Sequence, residues 1–363
     1  MPIKKIILAL VLAAVTMPAV SAAKKQKLEF HPGSELTLIG KLMDTPDRYA
    51  RVDTIKYDGF TDYQRQKLNQ QSSGLALVFN TNSDQISVKI DYKNRHHGYN
   101  GTDVAYAGID LYIKRDGKWL YAGSNVPPAK GGPVSLVADM APGEKECLLY
   151  LPLFSIVDEI YVGVTPGSTI TPAPNPFQHK VVFFGSSFTH GASANRAGMA
   201  YPLQLERETG LYIAPLGVSG NSKLQPGYAR VLADTEADAF VFDAFSNPST
   251  QEIKDLFPEF VRRIREKHPT TPLIFQQTIY RERRNFSTAW DKNEAEKMAT
   301  AERMVRKAME TDPNIYFIEP DTGSDGITST DGTHPSDLGY WRWMNSIKQP
   351  ILDILAKYNL KVK

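Results

Sequence analysis

The chain has 363 residues, with 42 Lys and Arg against 40 Asp and Glu and a formal charge of +2 at pH 7. So even a balance offers no electrostatic grip on nucleic acid or an anionic membrane surface, and neither is expected as a partner. A single cysteine, Cys147, excludes an internal disulfide and a cysteine-rich metal site, and it reads as a buried small hydrophobe.

In chain order, the first 23 residues carry Lys4 and Lys5, an apolar run from Ile6 to Val15, and then small residues. This is the pattern of a secretory signal peptide, with cleavage expected after Ala22 or Ala23. No cysteine stands near that point to take a lipid anchor. The run is too short for a membrane span, which needs about 20 apolar residues, and no later segment comes close. An exported protein, periplasmic or secreted, is the expectation. The remaining length exceeds a single typical core, so two domains are expected.

Residues 24–170 are rich in short alternating segments. They include GLALVFNT (74–81), QISVKIDY (85–92), GIDLYIKR (108–115), KWLYAGS (118–124), ECLLYLP (146–152) and EIYVGVT (159–165). Alternation of apolar and polar residues bounded by Gly, Pro, Asn and Asp predicts an antiparallel, jelly-roll-like β-sandwich. RDGK (115–118) is the expected hairpin turn between two of its strands. TPGSTITPAPNPFQH (165–179) holds four prolines and reads as a linker or strap, set at 171–179.

From residue 180 to 363 the pattern changes. KVVFFGS (180–186), DAFVFDAFS (238–246), PLIFQQT (272–278) and NIYFIEP (314–320) are nearly continuous apolar runs, as in strands buried on both faces. Helical stretches such as 252–268 and 293–311 lie between them. Strands alternating with helices predict an α/β domain with a parallel sheet. Ligands of such sheets bind beyond the carboxyl ends of the strands. Two serines, Ser186 and Ser187, stand there after the first strand, and Ser246-Asn247-Pro248-Ser249 stands after another. A turn explains Gly-Ser-Ser equally well when it is taken alone.

A serine hydroxyl needs a base, usually a histidine held by a carboxylate. His31 and His179 lie in proline-flanked loops, and His268 closes a charged helix. His96 and His97 are neighbours in the polar loop NRHHGYNG (94–101), open to a metal or a solvated reading. His190 follows Ser187 by three residues, on the helix after the turn. His334 differs, because it lies after the last strand and before the last helix, with Asp331 three residues earlier and Pro335 behind it. That spacing lets the carboxylate hold one imidazole nitrogen while the other faces outward. Capping of the last helix by Ser336 or Asp337 is the bland alternative. Acyl transfer also needs donors for an oxyanion. Gly220 in PLGVSGNSK (215–223) offers a backbone N–H, and Asn247 offers a side-chain amide.

The ordered set GSSFTHG, GVSGN, FSNPS and DGTHP resembles the four blocks of the SGNH, or GDSL-type, esterases and acylhydrolases. GIDLY (108–112) resembles the Gly-x-Asp-Leu-Tyr signature of a β-rich N-terminal domain that precedes certain bacterial SGNH esterases. The resemblance implies a flavodoxin-like three-layer α/β/α domain and a serine esterase that needs no metal or organic cofactor. It implies Ser187 as nucleophile, His334 as base and then acid, and Asp331 as its orienter. The oxyanion would be held by the backbone N–H of Ser187, the backbone N–H of Gly220 and the side chain of Asn247. Ser186 stands where the family has aspartate, and Phe245-Ser246-Asn247-Pro248 replaces the usual Gly-x-Asn-Asp.

The expected substrate is a small-molecule or polysaccharide ester, with acetyl on carbohydrate preferred. Tyr99, Trp119, Trp341 and Trp343 are candidates to stack on sugar faces, with core roles as the alternative. Two competing readings are a glycan-binding protein with a degenerate hydrolase domain and an acyltransferase using the same triad. Asp110 and Tyr112 of GIDLY read equally as structural or functional; alternation sets both opposite Leu111.

Overall fold

The two strand patterns become two kinds of sheet in a computed structural model, which describes residues 27–321 and 326–362. The expected signal peptide lies outside the described residues.

Among the described residues, ten strands build the N-terminal part. They are β1 (Glu29–Pro32), β2 (Thr37–Ile39), β3 (Ala76–Thr81), β4 (Ile86–Asn94), β5 (Ile109–Arg115), β6 (Lys118–Asn125), β7 (Val134–Val137), β8 (Lys145–Tyr150), β9 (Ile156–Val164) and β10 (Ile170–Pro172). One sheet has the order β1-β9-β4-β7 and the other β10-β3-β8-β5-β6, with β2 also on β3, and all pairings are antiparallel. The turn between β5 and β6 has positive φ at both Asp116 (51°) and Gly117 (75°), the hairpin geometry that Asp-Gly favours.

Leu77, Phe79, Val88, Ile90, Leu111, Leu149 and Val162 fill the space between the two sheets. Cys147 is buried among them, and burial pushes its thiol up to about 12, so it behaves as an apolar side chain. The opposite face of the larger sheet is not free. Ala76, Val78, Tyr112, Leu148 and Tyr150 pack into a second core with Tyr201, Leu203, Trp343 and Ile347 of the C-terminal domain. This sheet is therefore buried on both faces, one against its partner sheet and one against the neighbouring domain.

The expected linker is narrower than 171–179. Thr171 and Pro172 belong to β10, and Gln178 and His179 begin β11 (Gln178–Gly185). Proline is tolerated in β10 because that strand is an edge of its sheet.

The C-terminal sheet adds β12 (Leu211–Gly217), β13 (Ala239–Asp243), β14 (Leu273–Gln276) and β15 (Ile315–Ile318), in the parallel order β12-β11-β13-β14-β15. This is the flavodoxin-like strand order. Pro215 sits inside β12, which is possible because β12 is an edge strand, and this proline masks the strand from a reading of periodicity.

The helices in chain order are α1 (Asp103–Ala107) in the sandwich, then α2 (Ser187–His190), α3 (Tyr201–Thr209), α4 (Pro226–Ala233), α5 (Thr250–Arg265), α6 (Thr288–Met309) and α7 (Asp337–Ala356). Residues of α3 and α7 pack on one face of the parallel sheet, together with the sandwich. Residues of α4, α5 and α6 pack on the other. No described helix is long and apolar enough to cross a membrane.

Candidate active site

Strand register brings the candidate turns together. Gly185 at the end of β11 pairs with Gly217 of β12 on one side and with Asp243 of β13 on the other. The turns that follow the three strands thus leave the sheet side by side. Gly185 is required there, since a Cβ would lie 2.1 Å from Thr189 Oγ1 and 2.8 Å from the Asp243 Cβ.

Ser186 caps α2, accepting from the Phe188 N–H, and Ser187 is the first residue of that helix. Ser187 is buried, and its Oγ lies 3.0 Å from His334 Nε2. His334 Nδ1 lies 2.8 Å from Asp331 Oδ2. Asp331 Oδ1 accepts from the backbone N–H groups of Thr333 (3.0 Å) and His334 (2.8 Å), so the Asp-x-x-His spacing closes a tight turn on the carboxylate. Burial acts to raise the Asp331 carboxyl, but hydrogen bonds from Asn100, the His334 ring and the His334 N–H outweigh it and hold it at about 2. An ionised Asp331 accepts from Nδ1–H, which leaves the Nε2 lone pair for the Ser187 hydroxyl. Ser336, not Asp337, caps α7, accepting from the Gly339 N–H. The helix cap and the Asp–His pair coexist in the one loop.

The candidate oxyanion donors stand on the same rim. Gly220 has φ +70° on an open turn closed by the Asn221 N–H to Val218 O bond of 2.9 Å. Asn247 accepts the Ser222 N–H on its Oδ1 at 3.2 Å, which leaves its amide end to donate. The preceding Ser246 carbonyl is gripped by Arg281 (2.9 Å) and Lys297 (3.0 Å). These two buried cations share Glu294, at 3.0 and 2.6 Å.

His190 is not placed to act as a base. It is fully buried, its Nε2–H donates to Leu153 O at 2.8 Å, and its Nδ1 faces the Ser219 N–H at 3.4 Å. Burial and the nearby Arg51 push it well below the usual histidine range. His97 is held by Asp103 at 2.8 Å, and His31, His179 and His268 lie in other parts of the fold. Among the described residues, no group of three or more His, Cys, Asp or Glu stands together as a metal site.

The sugar-stacking candidates separate. Trp343 belongs to the core: it is fully buried, stacks on Tyr201 at 4.4 Å and donates to Gln276 at 3.0 Å. Trp119 is partly buried against Phe177, and Trp341 is exposed on α7. Tyr99 is 91% exposed and lines a cleft of about 560 Å³ together with His334, Ser219 and residues of the sandwich domain.

Two residues of the site were not anticipated. Asp243 is buried at the end of β13, where its Oδ2 accepts from the Ser186 N–H (3.1 Å), the Ser186 hydroxyl (2.8 Å) and Thr189 Oγ1 (3.0 Å). A neighbouring strand thus supplies the carboxylate that position 186 lacks. The signal was an aspartate closing the otherwise apolar run Ala239–Asp243. Burial, opposed by these hydrogen bonds, pushes Asp243 up to about 6. A folded-state value above that of an unfolded aspartate (about 3.9) gives stability that is present below pH 4 and lost as pH rises through about 6. Asparagine keeps an acceptor for the Ser186 N–H and can donate to Ser246. In Asp243→Asn we therefore expect unfolding free energy to vary less between pH 4 and 7 than in wild type. Denaturant titrations at several pH values read this, and an unchanged slope would refute it. The second residue is Asn100, whose Nδ2 donates to Asp331 Oδ2 at 3.0 Å from the sandwich domain. No local pattern marks it.

A profile described as the GDSL-like lipase/acylhydrolase family matches residues 178–352, and one described as the N-terminus of SGNH-hydrolase-type esterases matches residues 28–170. A crystal structure described as a GDSL-like lipase from Bacteroides ovatus is 41% identical, covering 91% of this chain and 98% of that one at a TM-score of 0.88. The chain belongs to the GDSL-like lipase/acylhydrolase family. The family descriptions support an ester hydrolase, and the two matches together account for both domains. The same fold occurs in the salicylyl-acyltransferase SsfX3 of a tetracycline biosynthetic pathway, at 20% identity and a TM-score of 0.66 over 92% of this chain and 98% of that one. It occurs also in a family two carbohydrate esterase from Clostridium thermocellum in complex with cellohexaose, at 16% identity and a TM-score of 0.60 over 83% and 98%. A search of curated proteins found no match.

Proposed function

We propose that this protein is an exported serine esterase that removes short acyl groups, acetyl foremost, from carbohydrate through a Ser187–His334–Asp331 triad. The observation that carries the reading is the unbroken chain Ser187 Oγ, His334 Nε2, His334 Nδ1, Asp331 Oδ2, with links of 3.0 and 2.8 Å. In this reading His334 takes the Ser187 proton as the oxygen attacks the ester carbonyl. The tetrahedral oxyanion is held by the Ser187 and Gly220 N–H groups and the Asn247 amide. The imidazolium formed, stabilised by ionised Asp331, gives its proton to the leaving alcohol, and water then releases the acid from the acyl-enzyme.

Carbohydrate as the alcohol is supported by the shared fold of the cellohexaose-bound esterase and by the exposed Tyr99 ring on the cleft, which suits a sugar face. Export rests on the charged and apolar pattern of residues 1–23. An acyltransferase would use the same serine chemistry with a hydroxyl in place of water, a second reading supported by the SsfX3 fold. Against a degenerate binding module stands the hydrogen-bonded triad geometry itself.

The test measures acetate released from acetylated xylan and from p-nitrophenyl acetate by wild type and Ser187→Ala. Acetate release by wild type only is the expected result, and addition of an acceptor alcohol shows by product analysis whether acyl is transferred. Near-wild-type release by Ser187→Ala would sink the assignment.

A further inference from the structure

The tip of the 94–101 loop reaches from the sandwich domain to the proposed triad. From that contact we infer that Asn100 is a positioning residue for the Asp331–His334 pair, a fourth member of the site supplied by the N-terminal domain. The inference rests on the triad reading above and adds a role for the domain in front of it.

The first observation is the bond itself. Asn100 Nδ2 donates to Asp331 Oδ2 at 3.0 Å, the oxygen that faces the His334 ring, and lies 3.3 Å from His334 Nδ1. With two backbone N–H groups on Oδ1, the carboxylate has a donor on every side and cannot rotate away from the imidazole.

The second observation fixes which end of the amide faces Asp331. The Tyr106 hydroxyl donates to Asn100 Oδ1, so the carbonyl end is engaged there and the NH₂ end points to Asp331.

The third is that the loop is shaped around Tyr106. A Cβ on Gly98 would fall 1.9 Å from Tyr106 Cζ, and one on Gly101 would fall 2.8 Å from its Cε2. Only glycines let the chain pass this close on both sides of Asn100. The loop is tied down at its base, where the His96 N–H donates to Ser155 Oγ (3.0 Å) and Ser155 donates to Tyr106 O (2.8 Å). On the far side Thr102 donates to Asn195 O of the catalytic domain.

A neutral donor suits this place. A cation there would compete with the imidazolium for Asp331, whereas an amide orients the carboxylate and leaves its charge for the histidine. The consequence is that the sandwich domain is part of the catalytic apparatus and not a separable appendage.

The test uses the full chain in four variants: Asn100→Ala, Tyr106→Phe, Ser187→Ala and Ser187→Ala/Asn100→Ala. Turnover is normalised to the concentration of folded protein, read from the amplitude of its cooperative unfolding transition, so that loss of folded protein does not count. Asn100→Ala is expected to lower kcat by about 10-fold or more with a much smaller change in KM, because displacement of a base by a fraction of an ångström acts on the transition state. Tyr106→Phe is expected to lower kcat in the same direction by less. The downfield imidazole N–H resonance of His334 is read by NMR in the Ser187→Ala background, with and without Asn100. It is expected to move and to exchange faster with water when Asn100 is lost. Wild-type kcat in Asn100→Ala together with an unchanged resonance overturns the inference, even where Ser187→Ala is inactive. Retained turnover in Ser187→Ala sinks the triad reading instead, and the resonance then decides separately whether Asn100 positions His334.

Discussion

His334→Ala is expected to lower turnover on a short-chain ester by on the order of 10⁴-fold or more, and the Ser187→Ala/His334→Ala double variant should be no worse than either single change. In the proposed mechanism the serine and the histidine act as one unit across the 3.0 Å Oγ–Nε2 contact. Once the proton acceptor is gone, the hydroxyl is no better a nucleophile than water, so removing it costs nothing further. The residual rate comes from binding and from the oxyanion donors alone. Asp331→Asn should fall nearly as far, because an amide presented to Nδ1 selects the wrong imidazole tautomer. Steady-state kcat for wild type and the four variants, measured as acetate released per mole of folded protein, reads the outcome. Multiplying rather than saturating losses would show that the two residues act independently and would remove the triad as an explanation.

The second large effect is expected on stability. Asp110→Ala should destabilise the protein by about 3–5 kcal/mol, since it leaves a cation at the domain junction without its partner. Asp110 is fully buried, and its Oδ2 accepts from Arg196 at 2.8 Å and from the Gly198 N–H at 2.7 Å, both in the catalytic domain. The Tyr112 hydroxyl bonds the same guanidinium, and the Arg207 side chain lies over the Tyr112 ring at 4.1 Å. GIDLY is thus a latch: Leu111 faces the sandwich core, while Asp110 and Tyr112, on the other side of the strand, hold the neighbouring domain. Thermal unfolding should show a fall in Tm of roughly 5 °C or more. Asp110→Asn, which keeps an acceptor for the Gly198 N–H but loses the charge, should fall between the two. A Tm within a degree of wild type for Asp110→Ala would mean that apolar packing alone joins the domains.

Much of this candidate site was legible in the primary structure because its parts are local. Asp331 and His334 are three residues apart, and the turn between them is closed by the carboxylate's own neighbours. Ser187, Gly220 and Asn247 follow the ends of their strands at Gly185, Gly217 and Asp243 by two, three and four residues, and parallel strands in register place such turns on one rim. The strand that was harder to read is β12, where Pro215 interrupts the apolar run; an edge position removes the objection, but being an edge is a property of the assembled sheet. Trp343 shows the reverse case. A tryptophan near a catalytic loop suits sugar stacking, yet α7 turns it onto Tyr201 and Gln276 in the core.

By itself, then, the sequence determined two domains of different strand pattern, the order of the four turns, and which serine, histidine and aspartate stand as candidates on them, since periodicity and short spacing act over a few residues. Only the tertiary structure decided that Asp243 replaces the missing carboxylate at position 186, across 57 residues. It alone decided that Asp110 reaches Arg196 across 86 residues and that Asn100 reaches Asp331 across 231. Each of these contacts joins polar groups on different strands or different domains. Their geometry exists only after two apolar cores have closed and excluded water, and no spacing along the chain encodes it.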